Sequence, residues 1–549
     1  MGTIKTSREI AIVAGVTVLC LVPFVSKAFN MDEPLFVWSA KQIVSKPLDF
    51  YGFSVNWYGS VMPMSEVTKN PPAACYWSAL VGALFGWREA VQHTAFIIWA
   101  IAAALGTYCL AKRMCSDAML AALAAILTPV FLVSSTMVMC DTMMLAFWVW
   151  AVYFWVKGLE ADSKRHLSVS AALITLSALT KYFGISLLVL LLAYSIMQKR
   201  KAGTWALYFL IPVVILAGYQ WATYALYGRG LLWDAASYAT ELRWMNGGKL
   251  FSKALVGLSF TGGCIITAFF FVPFIRNRIF LAAPATAFIL GLVAVMRVNS
   301  VEALKVSGVR WPFFLQLGVM AVAGLSILGI AAMDFWESRD AESLLLLLWV
   351  AGTFVFASFI NWSVNGRSIL PMAPAVGILL VRQIGRPTGE GYGRIVPRWM
   401  YLPLIGGMVL SILVCRSDYL LAQASRRAAE VISKRFETYA GGIWFQGHWG
   451  FQYYMEKEGA MALDQSEPVV GVGGIIVTPL NNTNTRSLSE ETAQLGKVFE
   501  FKTCSWLTTM SPLLGAGFHS DMWGPLPYVI GRVEPETYYA FVAKYTEER

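Results

Sequence analysis

Charge is what this sequence has least of. Only 14% of its 549 residues are Asp, Glu, Lys or Arg, against 57% hydrophobic, whereas soluble domains run near a quarter charged. A wholly water-soluble protein is therefore excluded. Metal-binding chemistry is equally thin: the four histidines are scattered, and the eight cysteines form no CxxC pair and no Cys/His cluster. Cys20, Cys109, Cys140 and Cys264 lie inside apolar stretches, so neither a zinc site nor a disulfide framework is expected. Gly471, Gly473 and Gly474 interrupt a strand pattern (468–478) with no helix behind them. That reads as a bulge or tight packing rather than a phosphate cradle.

What the chain does have is a series of Leu-, Ala- and Phe-rich blocks from Ile10 to Cys415, each about 20 residues long, as a bilayer core requires. The expected spans are 10–29, 92–111, 117–135, 138–156, 167–179, 184–198, 204–226, 251–274, 279–296, 311–333, 342–361, 368–382 and 399–416. This is a polytopic α-helical membrane protein of about 11–13 transmembrane helices. The block 167–198 is long for one span and short for two, with Lys181 at its join. The first block is too long for a signal-peptide core and lacks a small-residue cleavage site, so an uncleaved helix is expected.

The net charge of +10 does not point to nucleic acid. Its Lys and Arg residues collect in short gaps, at Lys112-Arg113, Lys164-Arg165, Lys199-Arg200-Lys201, Arg276 with Arg278, and Arg382 through Arg398. Two helices in 167–198 bring those gaps to one face, together with Lys5 and Arg8, which is the positive-inside pattern. The opposite, outer face then holds the loop 30–91, rich in Trp, Tyr and Pro, where interfacial helices are expected. A second outer loop, 227–250, carries Arg229, Asp234, Glu241, Arg243 and Lys249.

The apolar blocks stop after Arg416. The expected organisation is a membrane-embedded catalytic domain over 1–416 and a small soluble α/β domain over 417–549, outside the membrane. The tail opens with a helical pattern from Tyr419 to Glu437, followed by strand patterns at 442–445, 468–478, 498–503 and 528–532.

An ionisable group at membrane depth is expensive unless it is paired or hydrated, so each is a candidate for function. Four places stand out. Asp32-Glu33-Pro34 opens the first outer loop, and adjacent carboxylates cannot face the same way, so one of them is a candidate to deprotonate an acceptor. Asp141 falls at the outer turn between two spans, where a helix N-cap is the plain alternative. Lys181 either reaches to headgroups or holds an anion facing the carboxylates. Arg367, at the outer start of a late span, offers the bidentate phosphate recognition that Lys lacks.

These residues resemble a known group. Asp32-Glu33-Pro34 is similar to the acidic loop motif of membrane glycosyltransferases with the GT-C fold, in particular the protein-mannosyltransferase and lipid A aminoarabinose-transferase families. Asn70-Pro71-Pro72-Ala73-Ala74-Cys75-Tyr76-Trp77 is similar to their PPL-x-YW segment, and Ser135 through Asp141 to their SR-x-x-x-x-D stretch, with Thr136 in place of Arg. Leu179-Thr180-Lys181 matches LTK, and Arg367 to Pro374 is similar to RY-x-LP-x-x-P with Ser368 in place of Tyr. The resemblance spans about residues 10–385.

It implies transfer of a sugar from a polyprenyl-phosphate donor to a lipid, glycan or protein acceptor at the outer face of a plasma (inner) membrane. Asp32, Glu33 and Asp141 would be catalytic, while Lys181, Arg367, Asn70 and Tyr76 would bind substrate. Some relatives place a divalent cation near the carboxylates, here Asp32 and Glu33. The competing reading is a transporter or lipid flippase without transferase activity. It calls for internal repeats and helices broken at mid-membrane in matching halves, and the sequence shows no such repeat. A catalytically dead relative acting as a subunit is a third class, kept open by Thr136.

Overall fold

The computed structural model describes residues 2–245, 250–275, 311–385, 397–439, 441–466 and 470–544. Among them are nine helices long and apolar enough to cross a membrane, or eleven if two bent pairs each count as one span. The chain is thus a polytopic helical membrane protein. The expected span 279–296 lies outside the described residues.

Several helices depart from the sequence reading for local reasons. The first ends at Leu21 rather than 29, because Pro23 starts a short 3-10 turn, Val22–Phe24. The block 117–135 is two helices, Ala118–Ile126 and Pro129–Ser135, bent by 66°. Each has its own cap: the Asp117 side chain accepts from Leu120 N, and Thr128 Oγ1 from Phe131 N. The block 251–274 likewise splits, at Ile265, with a 78° bend.

The ambiguous 167–198 block is two helices, Lys164–Thr180 and Ser186–Lys199, joined by a 3-10 turn over Tyr182–Ile185. That turn lies against the end of the first helix only because Gly184 has no side chain. A Cβ there would sit 2.5 Å from the backbone N of Ala178.

The last span and the expected tail helix are one continuous helix, Leu402–Phe436. The position expected to divide membrane domain from tail falls inside it. No proline or glycine interrupts this helix after Gly407, and Ala422, Ala428, Ala429 and Ile432 continue a buried stripe.

Beyond it, five strands form a mixed sheet in the order Met461–Ala462, Ile443–Phe445, Ile475–Pro479, Glu536–Ala543 and Ala493–Phe501. The first three strands run parallel, and the last two pair antiparallel. Helix Trp449–Lys457 makes the crossover between the two parallel strands it connects. Of the strand expected over 468–478, residues 468–469 lie outside the described residues; among the rest it begins at Ile475, since the glycines before it form a turn with Gly473 at φ +82°. The strand Glu536–Ala543, paired on both sides in the sheet, was not read from sequence, and 528–532 yields only Val529–Ile530.

The tail's core includes Phe445, Phe451, Val477 and Tyr538. It is continuous with Ala28 and Phe29 after the first span and with Phe96 of Glu89–Met114. The tail is therefore packed onto the ends of the membrane helices rather than tethered beside them.

Candidate active site

Asp32 and Glu33 stand at the start of the helix Glu33–Ser45, after a turn in which Met31 takes a positive φ of 48°. The two carboxylates have different surroundings. Glu33 is fully buried: Oε2 accepts from Asn30 N at 2.6 Å, and Oε1 accepts from Val138 N at 2.6 Å and lies 3.2 Å from His93 Nε2. Asp32 has a third of its side chain exposed (33%) and meets Arg367, with Nη2 donating to Oδ2 at 3.1 Å. The other Arg367 terminal nitrogen points at the thioether of Met139, 2.9 Å away.

Arg367 opens a span, in the short helix Gly366–Ile369, which Asn365 caps by accepting from Ser368 N at 2.9 Å. Asp141 lies in the first turn of Cys140–Glu160 without acting as its cap, since Met139 holds that position. Instead its Oδ1 accepts from Lys181 Nζ at 2.5 Å. Lys181 has extended backbone (φ −150°, ψ 131°) at the break between its two helices, which frees the side chain to reach across. Asp32 and Asp141 both lie within electrostatic reach of Arg367. The structure therefore brings together four residues drawn from distant parts of the sequence, as two acid–base pairs.

Asn70 borders this group, its amide oxygen accepting from Cys140 Sγ at 3.5 Å. Tyr76 does not join it: its hydroxyl donates to Pro47 O at 2.5 Å, and the side chain faces outward. Thr136 is buried, donates to Val133 O at 2.9 Å and lies 3.7 Å from Cys415 Sγ.

A resident cation does not fit Asp32 and Glu33. Both Glu33 oxygens are engaged by N–H donors, Asp32 is held by a guanidinium, and no group of three His, Cys, Asp or Glu side chains among the described residues could hold a metal.

Sequence reasoning missed much of the surround. Lys69, next to Asn70, pairs with Asp234 at 2.5 Å and lies over the Tyr238 ring; Arg229 bridges Asp234 at 3.0 Å to Glu66 at 3.3 Å. These contacts fasten the helix Leu231–Met245 to the segment that carries Glu66 and Lys69. The charges were visible in both loops, but nothing in the sequence paired them. From the tail, His448 stacks on Trp57 at 4.7 Å and contacts its carbonyl at 2.7 Å. Burial pushes that imidazole down to about 4, against the raising effects of the Trp57 carbonyl and Asp32.

Residues 69–221 match the family model described as dolichyl-phosphate-mannose-protein mannosyltransferase. No curated protein matches the chain. Among solved structures, it is similar to the Archaeoglobus fulgidus oligosaccharyltransferase tethered with an acceptor peptide, at 14% identity and a TM-score of 0.45, covering 83% of this chain. The chain spans 63% of the length of that enzyme. It is similar to ArnT from Cupriavidus metallidurans bound to undecaprenyl phosphate, at 14% identity and a TM-score of 0.43, covering 87% of this chain and 94% of that one. A further likeness is to the mycobacterial arabinofuranosyltransferase AftD, at 12% identity and a TM-score of 0.39, over 98% of this chain and 40% of that one. The segment that carries Asn70, Tyr76, Asp141 and Lys181 is thus similar to the protein-mannosyltransferase family, one of the membrane glycosyltransferase families that the sequence motifs resemble.

Proposed function

We propose that this chain transfers a sugar from a polyprenyl-phosphate-linked donor to an acceptor at the outer face of the membrane, with the tail on that same side. The observation that carries the reading is the partly exposed carboxylate of Asp32 held 3.1 Å from the half-buried Arg367, with the Asp141–Lys181 pair alongside. A sugar leaving a lipid phosphate deposits negative charge on that phosphate. Fixed cations at that point stabilise the charge without having to reorganise.

In this reading Arg367 and Lys181 hold the donor phosphate, and Asp141 keeps Lys181 in place. Asp32 orients the acceptor hydroxyl or amine and takes its proton. The acceptor–C1 bond forms as the C1–O bond to phosphate breaks, in line, inverting the anomeric carbon. Glu33, saturated by backbone donors, shapes the loop rather than reacting. Asn70 is assigned to the donor side, beside Asp141, and Tyr76 to the outer rim. The description of the matching family names a dolichyl-phosphate-linked sugar, which supports a donor of this class.

The test is transfer from a polyprenyl-phosphate sugar in membranes carrying the wild-type chain, Asp32→Ala or Asp141→Ala. Transfer is expected to vanish in both variants while the amount of inserted protein is unchanged. Full transfer by both would overturn the site. Mass spectrometry of envelope glycans and lipids in a deletion strain tests the class, since an unchanged glycan profile with altered solute uptake would favour a transporter.

A further inference from the structure

The segment 361–366 leads from the span ending at Ile360 into Arg367, and the tail supplies partners for its backbone. Val364 N donates to Asp521 Oδ1 at 2.9 Å, Asp521 N donates to Val364 O at 2.8 Å, and Gly366 N donates to Phe518 O at 2.8 Å. The buried Phe518 ring covers Gly366 so closely that a Cβ there would lie 2.7 Å from Cζ. Buried backbone groups need such partners, and this segment draws them from a part of the chain about 150 residues away.

The same tail loop is fixed to the other side of the Asp32–Arg367 pair. Asp418, fully buried, accepts from His519 Nε2 at 2.9 Å and Thr509 Oγ1 at 2.9 Å on one oxygen, and from Lys27 Nζ at 2.6 Å on the other. Lys27 follows the first span and shortly precedes Asp32. One loop of the tail thus holds the approaches to both members of the pair, through hydrogen bonds to the buried Val364, Gly366 and Asp418.

We propose that the loop Phe518–Asp521 is the positioning element of Arg367, with Asp521 as its principal residue. Through it the tail sets where the guanidinium meets the phosphate of a polyprenyl-phosphate ligand. This rests on the role proposed above for Arg367. Without the Asp521 carboxylate the buried Val364 N–H loses its acceptor, and the turn that carries Arg367 loosens.

The experiment measures binding of undecaprenyl phosphate, the probe, to the purified full-length chain in detergent. The proteins compared are the wild type, Arg367→Lys, Asp521→Ala, Asp521→Asn and the Arg367→Lys/Asp521→Ala double variant. Asp521→Ala is expected to weaken binding about tenfold to a hundredfold, the scale of a misplaced positioning contact. Asp521→Asn keeps the acceptor oxygen and should stay within about threefold of wild type, and Asp521→Ala should add little on the Arg367→Lys background. Wild-type binding by Asp521→Ala, or effects that multiply independently, would overturn the proposal while leaving the role of Arg367 intact. Wild-type binding by Arg367→Lys would instead sink the underlying phosphate reading. If Asp521→Ala does not fold, Gly366→Ala replaces it. Its loss of binding must be recovered by adding Phe518→Leu, and failure to recover would overturn the proposal.

Discussion

The sharpest consequence of the site geometry is that Asp32 and Glu33, adjacent in sequence, should fail in different ways when each is converted to its amide. In Glu33→Gln one carboxylate oxygen becomes an NH2 group, and whichever way the amide turns it points at a backbone N–H, that of Asn30 or that of Val138, each now bonded at 2.6 Å. The variant loses a charge-assisted hydrogen bond and leaves a buried N–H unpaired, together about 3–5 kcal/mol. Asp32 is one-third exposed, so Asp32→Asn keeps a neutral acceptor for Arg367 and should change stability by about 1 kcal/mol or less. It removes the group assigned to take the acceptor's proton, a loss of about 100-fold to 10,000-fold in rate. The assay pairs thermal unfolding in detergent with transfer from a polyprenyl-phosphate sugar, normalised to folded protein. Asp32→Asn should be stable and inactive; Glu33→Gln should melt early, and its folded fraction should transfer within about tenfold of wild type. A stable, inactive Glu33→Gln beside an active Asp32→Asn would refute the assignment and make Glu33 the reacting carboxylate.

Two other predictions concern the tail. A Cβ on Gly450 would lie 2.1 Å from the carbonyl oxygen of Phe29, and backbone cannot yield as a side chain can. Gly450→Ala should therefore push helix Trp449–Lys457 off the end of the first span at a cost of about 1–3 kcal/mol, read as faster nicking of the tail in limited proteolysis. The pH dependence of tail stability should combine two opposed titrations. His448 is pushed down to about 4, so its neutral form contributes fully above the ordinary value of 6.5 and that contribution is lost as pH falls toward 4. Burial pushes Glu536 up to about 7, so its stabilising proton is present below the ordinary value of 4.5 and is lost as pH rises through 7. Each shift corresponds to roughly 3 kcal/mol, so Glu536→Gln should raise the melting temperature at pH 8 and much less at pH 4.5. An identical pH profile in wild type and variant would count against a buried, protonated Glu536.

The sequence by itself determined what depends on local composition. Apolar length fixed the membrane character, the soluble-like composition after Arg416 announced a tail, and the four charges Asp32, Asp141, Lys181 and Arg367 were conspicuous because membrane burial makes charge costly. The break at Lys181 was legible because two flanking basic clusters demanded it. The tertiary structure decided pairing. Asp32 finds Arg367 and Asp141 finds Lys181 across separations that no periodicity encodes, and Glu33 differs from Asp32 only because Val138 and Asn30 present their N–H groups to it. The same holds for Thr136, where the family motif has arginine. The buried cation in that neighbourhood is Lys27, held by Asp418 near Cys415, and its partner lies in a different helix. The bends at Leu127 and Ile265 and the uninterrupted helix through Arg416 were hidden because an apolar block of membrane-spanning length reads the same whether straight, bent or continued. Most of all, the sequence announced a tail but not that its loop at Phe518–Asp521 supplies the backbone partners of the turn bearing Arg367. Hydrogen bonds between distant backbone groups carry no residue signature, so only the folded chain shows where they go.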